Sequence, residues 1–372
     1  MIKIYEPYLP KKSIKYAHKA LKSSWISNLG EYKDLAKKSL NETLDCSASI
    51  LTNNGTTSTH LIYKVLKLKK PNIKNLLVPN NVYVAAWNAM LFDGDEINLI
   101  PIKTNIDTWN IDLQDLYKEA TKRNPDDTAI LIVHNLGGIV NTIEIKRQLP
   151  YYEIIEDNCE GFMGKYENKY TGTECLASSI SFYGNKTITC GEGGAIILKN
   201  EEYFDILEKI HSQGQTKIRY VHDILGYNYR MTNIQAAILY GQLSIKEEII
   251  KKKKQIFKRY KKNLENTNQI IFQPQEKNCE NAYWMFPIRI VGNTSFKFAN
   301  EYFLNKGIEI RSMFYPMSYH KHLIEYANID KEKEAEILLK EIIILPSSPT
   351  LKKQEIDYIS DEIKKYCKII GI

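Results

Sequence analysis

The chain reads as an α/β protein: a large unit with a mostly parallel sheet flanked by helices, followed by a smaller α+β unit. Three observations predict this. Short apolar runs alternate with helical stretches through the first two hundred residues, the pattern of repeated β–α units. A length of 372 residues exceeds what one ordinary core organises. From about residue 250 a long helix leads into a second group of strands. We expect a large domain over residues 1–250 and a small one over 251–372.

Taken in order, Ser13 to Ser23 and Glu31 to Asn41 read as helices, and a third continues after Thr56. Apolar runs at Asn75–Val78, Glu96–Pro101, Ala129–His134, Glu153–Glu156, Ser179–Phe182 and Ala195–Leu198 read as strands, with helical stretches between several of them. The run Ile245-Lys246-Glu247-Glu248-Ile249-Ile250, continuing through Lys251 to Lys254, has helical spacing. It predicts an amphipathic helix with a solvated basic face. Trp284–Val291 and Ile308–Met313 read as strands of the second unit.

The formal charge of +7 raises a nucleic-acid partner, but the basic residues fall on that one helix face and no recognisable binding motif accompanies them. We expect no nucleic-acid partner, although positive potential would help draw in an anionic phosphorylated substrate. No run of about eighteen apolar residues occurs, so no membrane span is expected. The start, Met1-Ile2-Lys3-Ile4-Tyr5-Glu6-Pro7, lacks the apolar core of a secretory signal, so a cytoplasmic location is expected. Six cysteines show no paired short spacing, which argues against a zinc site or a disulfide framework, and no metal is expected.

The chemistry centres on Lys186, in Ser181-Phe182-Tyr183-Gly184-Asn185-Lys186, with Gly191, Gly193 and Gly194 close behind. A lysine between an aromatic strand end and a glycine-rich turn is where a Schiff-base lysine for pyridoxal 5′-phosphate would sit, because a Lys amine forms an imine with that cofactor and glycines let the backbone pass close to it. Upstream, the apolar strand ending in Glu156-Asp157 places an acid at a strand's carboxyl end, where open α/β sheets bind ligands. Asp157 is the candidate anion for the cofactor's ring nitrogen. Capping of a following helix is the alternative use of these acids. Asn54-Gly55-Thr56-Thr57 opens a helix, and Gly55 and Thr56 (backbone) with Thr57 (hydroxyl) are candidate phosphate donors. From these residues alone, a plain N-cap reads equally well.

Together these segments resemble the DegT-type sugar aminotransferases, pyridoxal-phosphate enzymes of fold type I, and among them the perosamine synthases. The resemblance runs from Trp25-Ile26-Ser27 with Gly30, through the 54–60 turn, Val78-Pro79 to Ala85, Thr108 to Asp112, Glu156-Asp157 with Glu160 and the lysine segment. It continues in Gly226-Tyr227-Asn228-Tyr229-Arg230, Gly307-Ile308 with Arg311, Tyr315-Pro316 and Leu345-Pro346. It implies that Tyr83 stacks on the cofactor ring, Glu160 meets its 3-oxygen, and Ser181 and Asn228 meet its phosphate. Asn228 would come from a neighbouring subunit, so a homodimer with shared active sites is implied; Gly226-Tyr227-Asn228 is equally an ordinary turn. Trp25 and Ser27 fall on the family's substrate-side loop. Arg311 would meet a carboxylate or phosphate, or lie exposed after its strand.

The implied activity moves an amino group from L-glutamate, through pyridoxamine phosphate, to a phosphorylated keto acceptor. The acceptor implied first is a nucleotide-linked 4-keto-6-deoxy sugar for surface polysaccharide such as capsule. Departures from the family pattern at Asn80-Asn81-Val82, Trp87 and Asn135-Leu136-Gly137-Gly138 keep open a small keto phosphate such as dihydroxyacetone phosphate. A sugar dehydratase is a further alternative, but the relatives that eliminate water carry His at the lysine position. A non-catalytic binding protein is the remaining class.

Overall fold

The computed structural model describes residues 1–94 and 96–371. Its strands, in chain order, are β1 (Ala48–Thr52), β2 (Asn75–Pro79), β3 (Asn98–Ile102), β4 (Thr128–Val133), β5 (Glu153–Asp157), β6 (Lys165–Tyr166), β7 (Lys169–Tyr170), β8 (Ala177–Ser181) and β9 (Gly194–Leu198). After a long helix follow β10 (Ile270–Phe272), β11 (Cys279–Glu280), β12 (Phe286–Ile290), β13 (Arg311–Ser312) and β14 (Ile342–Leu345). Seven of them form one sheet in the order β1-β9-β8-β5-β4-β2-β3. Within it β9 runs antiparallel to both of its neighbours, whereas β8, β5, β4, β2 and β3 pair in parallel.

Alternation along the strands sorts side chains to the two faces, because successive residues point to opposite sides. In β4, Ala129, Leu131 and Val133 join a core with Leu61, Ile62, Val65 and Leu66 of the helix Gly55–Lys69. Ile130 and Ile132 join a second core with Leu116 and Ile145 of the helices Leu113–Ala120 and Thr142–Gln148. With both faces covered, the central strands are apolar throughout, and each fully buried Leu or Ile contributes about 1.5–3 kcal/mol. A separate core unites β12 and β14 of the all-antiparallel sheet β10-β12-β14-β13 with the helices Lys246–Leu264, Phe296–Asn305 and Lys353–Ile369.

All six strands expected in the larger unit are present, with ends moved by a residue or two. The expected division at 250/251 falls inside the helix Lys246–Leu264. One feature of that helix departs from expectation: Lys253, assigned to a solvated basic face, is wholly buried. Among the described residues no helix is long and apolar enough to cross a membrane.

Candidate active site

Three parallel strands end together. Val133, Asp157 and Ser181 are the last residues of β4, β5 and β8, and all three line one cavity of about 510 Å³. The helix Gly55–Lys69 starts at the same rim. Asn54 caps it, accepting the Thr57 N–H at 2.9 Å, and Gly55 and Thr56 line the cavity with first-turn N–H groups that no intrahelical carbonyl satisfies. A Cβ on Gly55 would stand 2.6 Å from the Ser181 Cβ. Glycine here lets the helix end close against β8.

Lys186 sits in a loop closed at its base by Phe182 N–H to Gly193 O (2.8 Å) and Cys190 N–H to Phe182 O (2.9 Å). Gly191 turns that loop with φ of 89°. The Tyr5 hydroxyl donates to the Lys186 carbonyl at 3.3 Å, and the Lys186 Nζ lies 3.9 Å from the centre of the Trp284 ring system. Asp157 is buried and accepts the Cys159 N–H on Oδ1 at 3.0 Å. Glu160 is buried too, and its Oε2 accepts the Leu136 N–H at 2.8 Å. Burial pushes the Glu160 carboxyl up to about 7; the Lys186 ammonium and the Leu136 N–H pull the other way, and Asp157 adds a smaller upward push. Burial also drives the neighbouring Cys159 thiol far up, so it is not a nucleophile at neutral pH.

Of the residues singled out in the sequence, the structure gathers Gly55, Thr56, Tyr83, Asp157, Glu160, Ser181, Lys186 and Arg311 around this cavity. Four lie elsewhere. The Thr57 hydroxyl turns back to Asn53 Oδ1 (2.7 Å) and Asn54 O (3.0 Å), which removes it from the expected donor set. Trp25 and Ser27 are held through their carbonyls by Asn233, at 2.7 Å from its side chain and 2.5 Å from its backbone N–H, and do not reach the cavity of their own chain. Asn228 is exposed, its Oδ1 accepting from Arg230 at 3.1 Å, and is also absent from its own chain's cavity. Arg311 lines the rim half exposed, 3.9 Å from Glu309. Sequence reasoning missed Trp284 and Phe314, which complete the wall from the smaller sheet's side. Trp284 carried no local signal beyond opening the expected strand Trp284–Val291, and the structure places it in the loop before β12.

The cavity suits a flat phosphorylated aldehyde. At one end are helix N–H groups and Ser181, whose hydroxyl, among the described residues, accepts only the Tyr183 N–H (3.3 Å) and keeps its proton to donate. Asp157 stands beyond, the Tyr83 ring is 58% exposed, and Lys186 supplies the amine. Asn185 also lines the wall, and among the described residues its buried Oδ1 has no hydrogen-bond partner. The volume falls in the usual range for small-molecule sites, about 300–1,000 Å³.

A sheet of this topology with an amine, an acid and an anion cup at its strand ends defines a pyridoxal-phosphate enzyme of fold type I. The chain belongs to the DegT/DnrJ/EryC1/StrS aminotransferase family, whose pattern matches residues 7–364. It is an aminotransferase, and its cofactor is pyridoxal phosphate. Among its relatives are the GDP-perosamine synthases of Escherichia coli O157:H7, 32% identical with 98% of each chain covered, and of Vibrio cholerae, 28% identical with 100% of each covered. The Helicobacter pylori aminotransferase PseC, involved in pseudoaminic acid biosynthesis, shares the fold, with a TM-score of 0.90 at 22% identity over 99% of each chain.

Proposed function

We propose that this aminotransferase moves an amino group from L-glutamate to the keto carbon of a nucleotide-linked 4-keto-6-deoxy sugar, serving surface-polysaccharide synthesis in the cytoplasm as a homodimer with shared sites. The observation that carries the reading is the end-to-end similarity to GDP-perosamine synthases, joined to a cavity that brings Lys186 and Asp157 together.

When bound, the cofactor supplies an electron-accepting ring and carries the amino group between donor and acceptor. Lys186 is the residue that would hold it and, once released, the base that takes the proton from the donor's Cα and returns one to the former keto carbon. Asp157 would face the ring nitrogen and keep its proton in place. The Gly55 and Thr56 N–H groups with Ser181 would cradle the phosphate, joined by the neighbouring subunit's copy of Asn228. Tyr83 offers its exposed face to the ring. Glu160, titrating near neutrality, is suited to share a proton with the 3-oxygen.

The small keto phosphate loses its main support. The segments that raised it are core rather than wall: Trp87 is fully buried and donates to Pro79 O at 3.0 Å, and Asn135 donates to the carbonyls of Asn81 and Trp109, each at 3.0 Å.

The test is absorbance of the cofactor-loaded protein on adding L-glutamate, then candidate acceptors, with Lys186→Ala as control. We expect the spectrum to change with L-glutamate and to return with a nucleotide-linked keto sugar, not with dihydroxyacetone phosphate. Lys186→Ala should slow the change by at least about a hundredfold. No change with any amino donor would overturn the reading.

A further inference from the structure

Lys253 is a titratable group that the reaction leaves unused. It lies in the middle of the helix Lys246–Leu264, has no exposed surface, and among the described residues forms no salt bridge. Its Nζ donates instead to two backbone carbonyls, Trp284 O at 2.7 Å and Ser347 O. It also stands 4.9 Å from the Tyr5 ring centre and 5.7 Å from that of Phe257. A buried ammonium without a counter-ion is costly, and burial pushes its pKa far down. Such a group is held in place by what it orders.

What it orders meets at Lys186. Trp284, whose carbonyl Lys253 grips, holds the lysine segment at two points, one on Asn185 and one on Lys186. Its indole N–H donates to the Asn185 carbonyl at 2.9 Å, and its ring lies under the Lys186 Nζ at 3.9 Å. Tyr5, beneath Lys253, donates to the Lys186 carbonyl at 3.3 Å. The loop that delivers Trp284 is itself shaped for this, with Tyr283 at φ 55° and its N–H turned to Asn281 Oδ1 at 2.5 Å. An unanchored lysine side chain spreads over many rotamers, whereas one lying on an aromatic face keeps its amine in place.

We propose that Trp284 and Lys253 are positioning residues for Lys186: the indole gives the lysine amine a resting face beside the cofactor cup, and the buried Lys253 side chain sets that indole by holding its backbone. The proposal rests on the reading of Lys186 as the cofactor lysine. It assigns Lys253 to the site although no atom of it reaches the cavity.

The test uses protein stripped of cofactor and follows the absorbance change as pyridoxal phosphate is captured. Trp284→Leu and Lys253→Met should each slow capture about two- to thirtyfold, and Lys253→Arg should restore most of the rate. Because Lys253 acts through Trp284, the double variant should be no slower than Trp284→Leu alone. Wild-type rates in the single variants, faster capture, or multiplied effects in the double variant would overturn the proposal. Should Lys253→Met fail to fold, Trp284→Phe, which keeps an aromatic face but loses the indole N–H to Asn185, is measured beside Trp284→Leu and should fall between it and wild type; wild-type rates in both would overturn the proposal. The underlying reading fails separately: wild type would then match Lys186→Ala and capture nothing.

Discussion

Glu160 is the residue whose proton matters most to the cofactor-free protein. Its folded pKa of about 7 lies above the value of an unfolded glutamate, about 4.3, chiefly because it is buried. Between those values the folded state holds more protons than the unfolded one, so stability falls as pH rises. The full effect reaches about 4 kcal/mol. Cofactor-free wild type should therefore lose stability relative to Glu160→Gln between about pH 4.5 and pH 7. Thermal unfolding across that range checks it; a constant difference between the two proteins would sink the assignment. Lys186 and Asp157 were legible one residue at a time because each sits in a short segment of recognisable chemistry. Trp284 was not, since nothing local says that a strand-entry tryptophan will lie against a lysine almost a hundred positions away.

Two elements bear on the site, the helix that opens at the cavity rim and the segment proposed to serve a neighbour's cavity, and each has a weak point. The helix Gly55–Lys69 approaches β8 so closely that Gly55→Ala must push the two apart. We expect a cost of about 1–3 kcal/mol and a cofactor dissociation constant raised about tenfold, measured by equilibrium dialysis. The second element is the extended segment at 227–229. Tyr227 and Tyr229 turn inward and stack 4.8 Å apart, which leaves Asn228 facing out. Tyr227 OH donates to Asp93 at 2.7 Å, Lys64 reaches the same carboxylate at 2.7 Å, and His60 bridges Asp93 (3.0 Å) and Tyr229 (3.1 Å).

Although burial works against it, these hydrogen bonds from Lys64 and Tyr227, helped by His60, hold the Asp93 carboxyl below its ordinary value. Asp93→Asn should cost about 1–3 kcal/mol in urea unfolding. The depressed pKa makes that stabilisation present above about pH 4 and lost as pH falls through the folded value, so the two proteins should converge in acid. The elements themselves were readable where periodicity was clean, as in the doubly buried central strands. β1 was missed because Ser47, Ser49 and Thr52 break up the apolar run there, and β14 because Ile342-Ile343-Ile344-Leu345 runs straight on from the helix Lys333–Glu341.

At the scale of the whole molecule, the proposed dimer explains why Asn228, Trp25 and Ser27 lie away from their own cavity. Trp25 (57%) and Leu225 (86%) are large apolar side chains left exposed, and a partner surface would cover them. If Asn228 completes the neighbour's phosphate cup, mixing Lys186→Ala with Asn228→Ala through a dissociation step should regenerate sites that carry both native residues. At random pairing, roughly a quarter of wild-type activity returns. No recovery in verified mixed dimers would place both residues in one chain's site.

The sequence by itself determined the class of sheet and the family, and singled out Lys186 and Asp157 as candidates for the cofactor lysine and its acid, because strand alternation, apolar runs and the Lys186 and Asp157 segments are local patterns. Only the tertiary structure decided that Thr57 turns away from the cup, that Lys253 lies buried within a basic run, and that Trp284 and Phe314 close the cavity wall. The Thr57 contacts are local, to Asn53 and Asn54, whereas the last two outcomes depend on how a loop before β12 and the segment after β13 pack against the ends of β5 and β8. That packing is a sum of long-range contacts which no short window of residues contains.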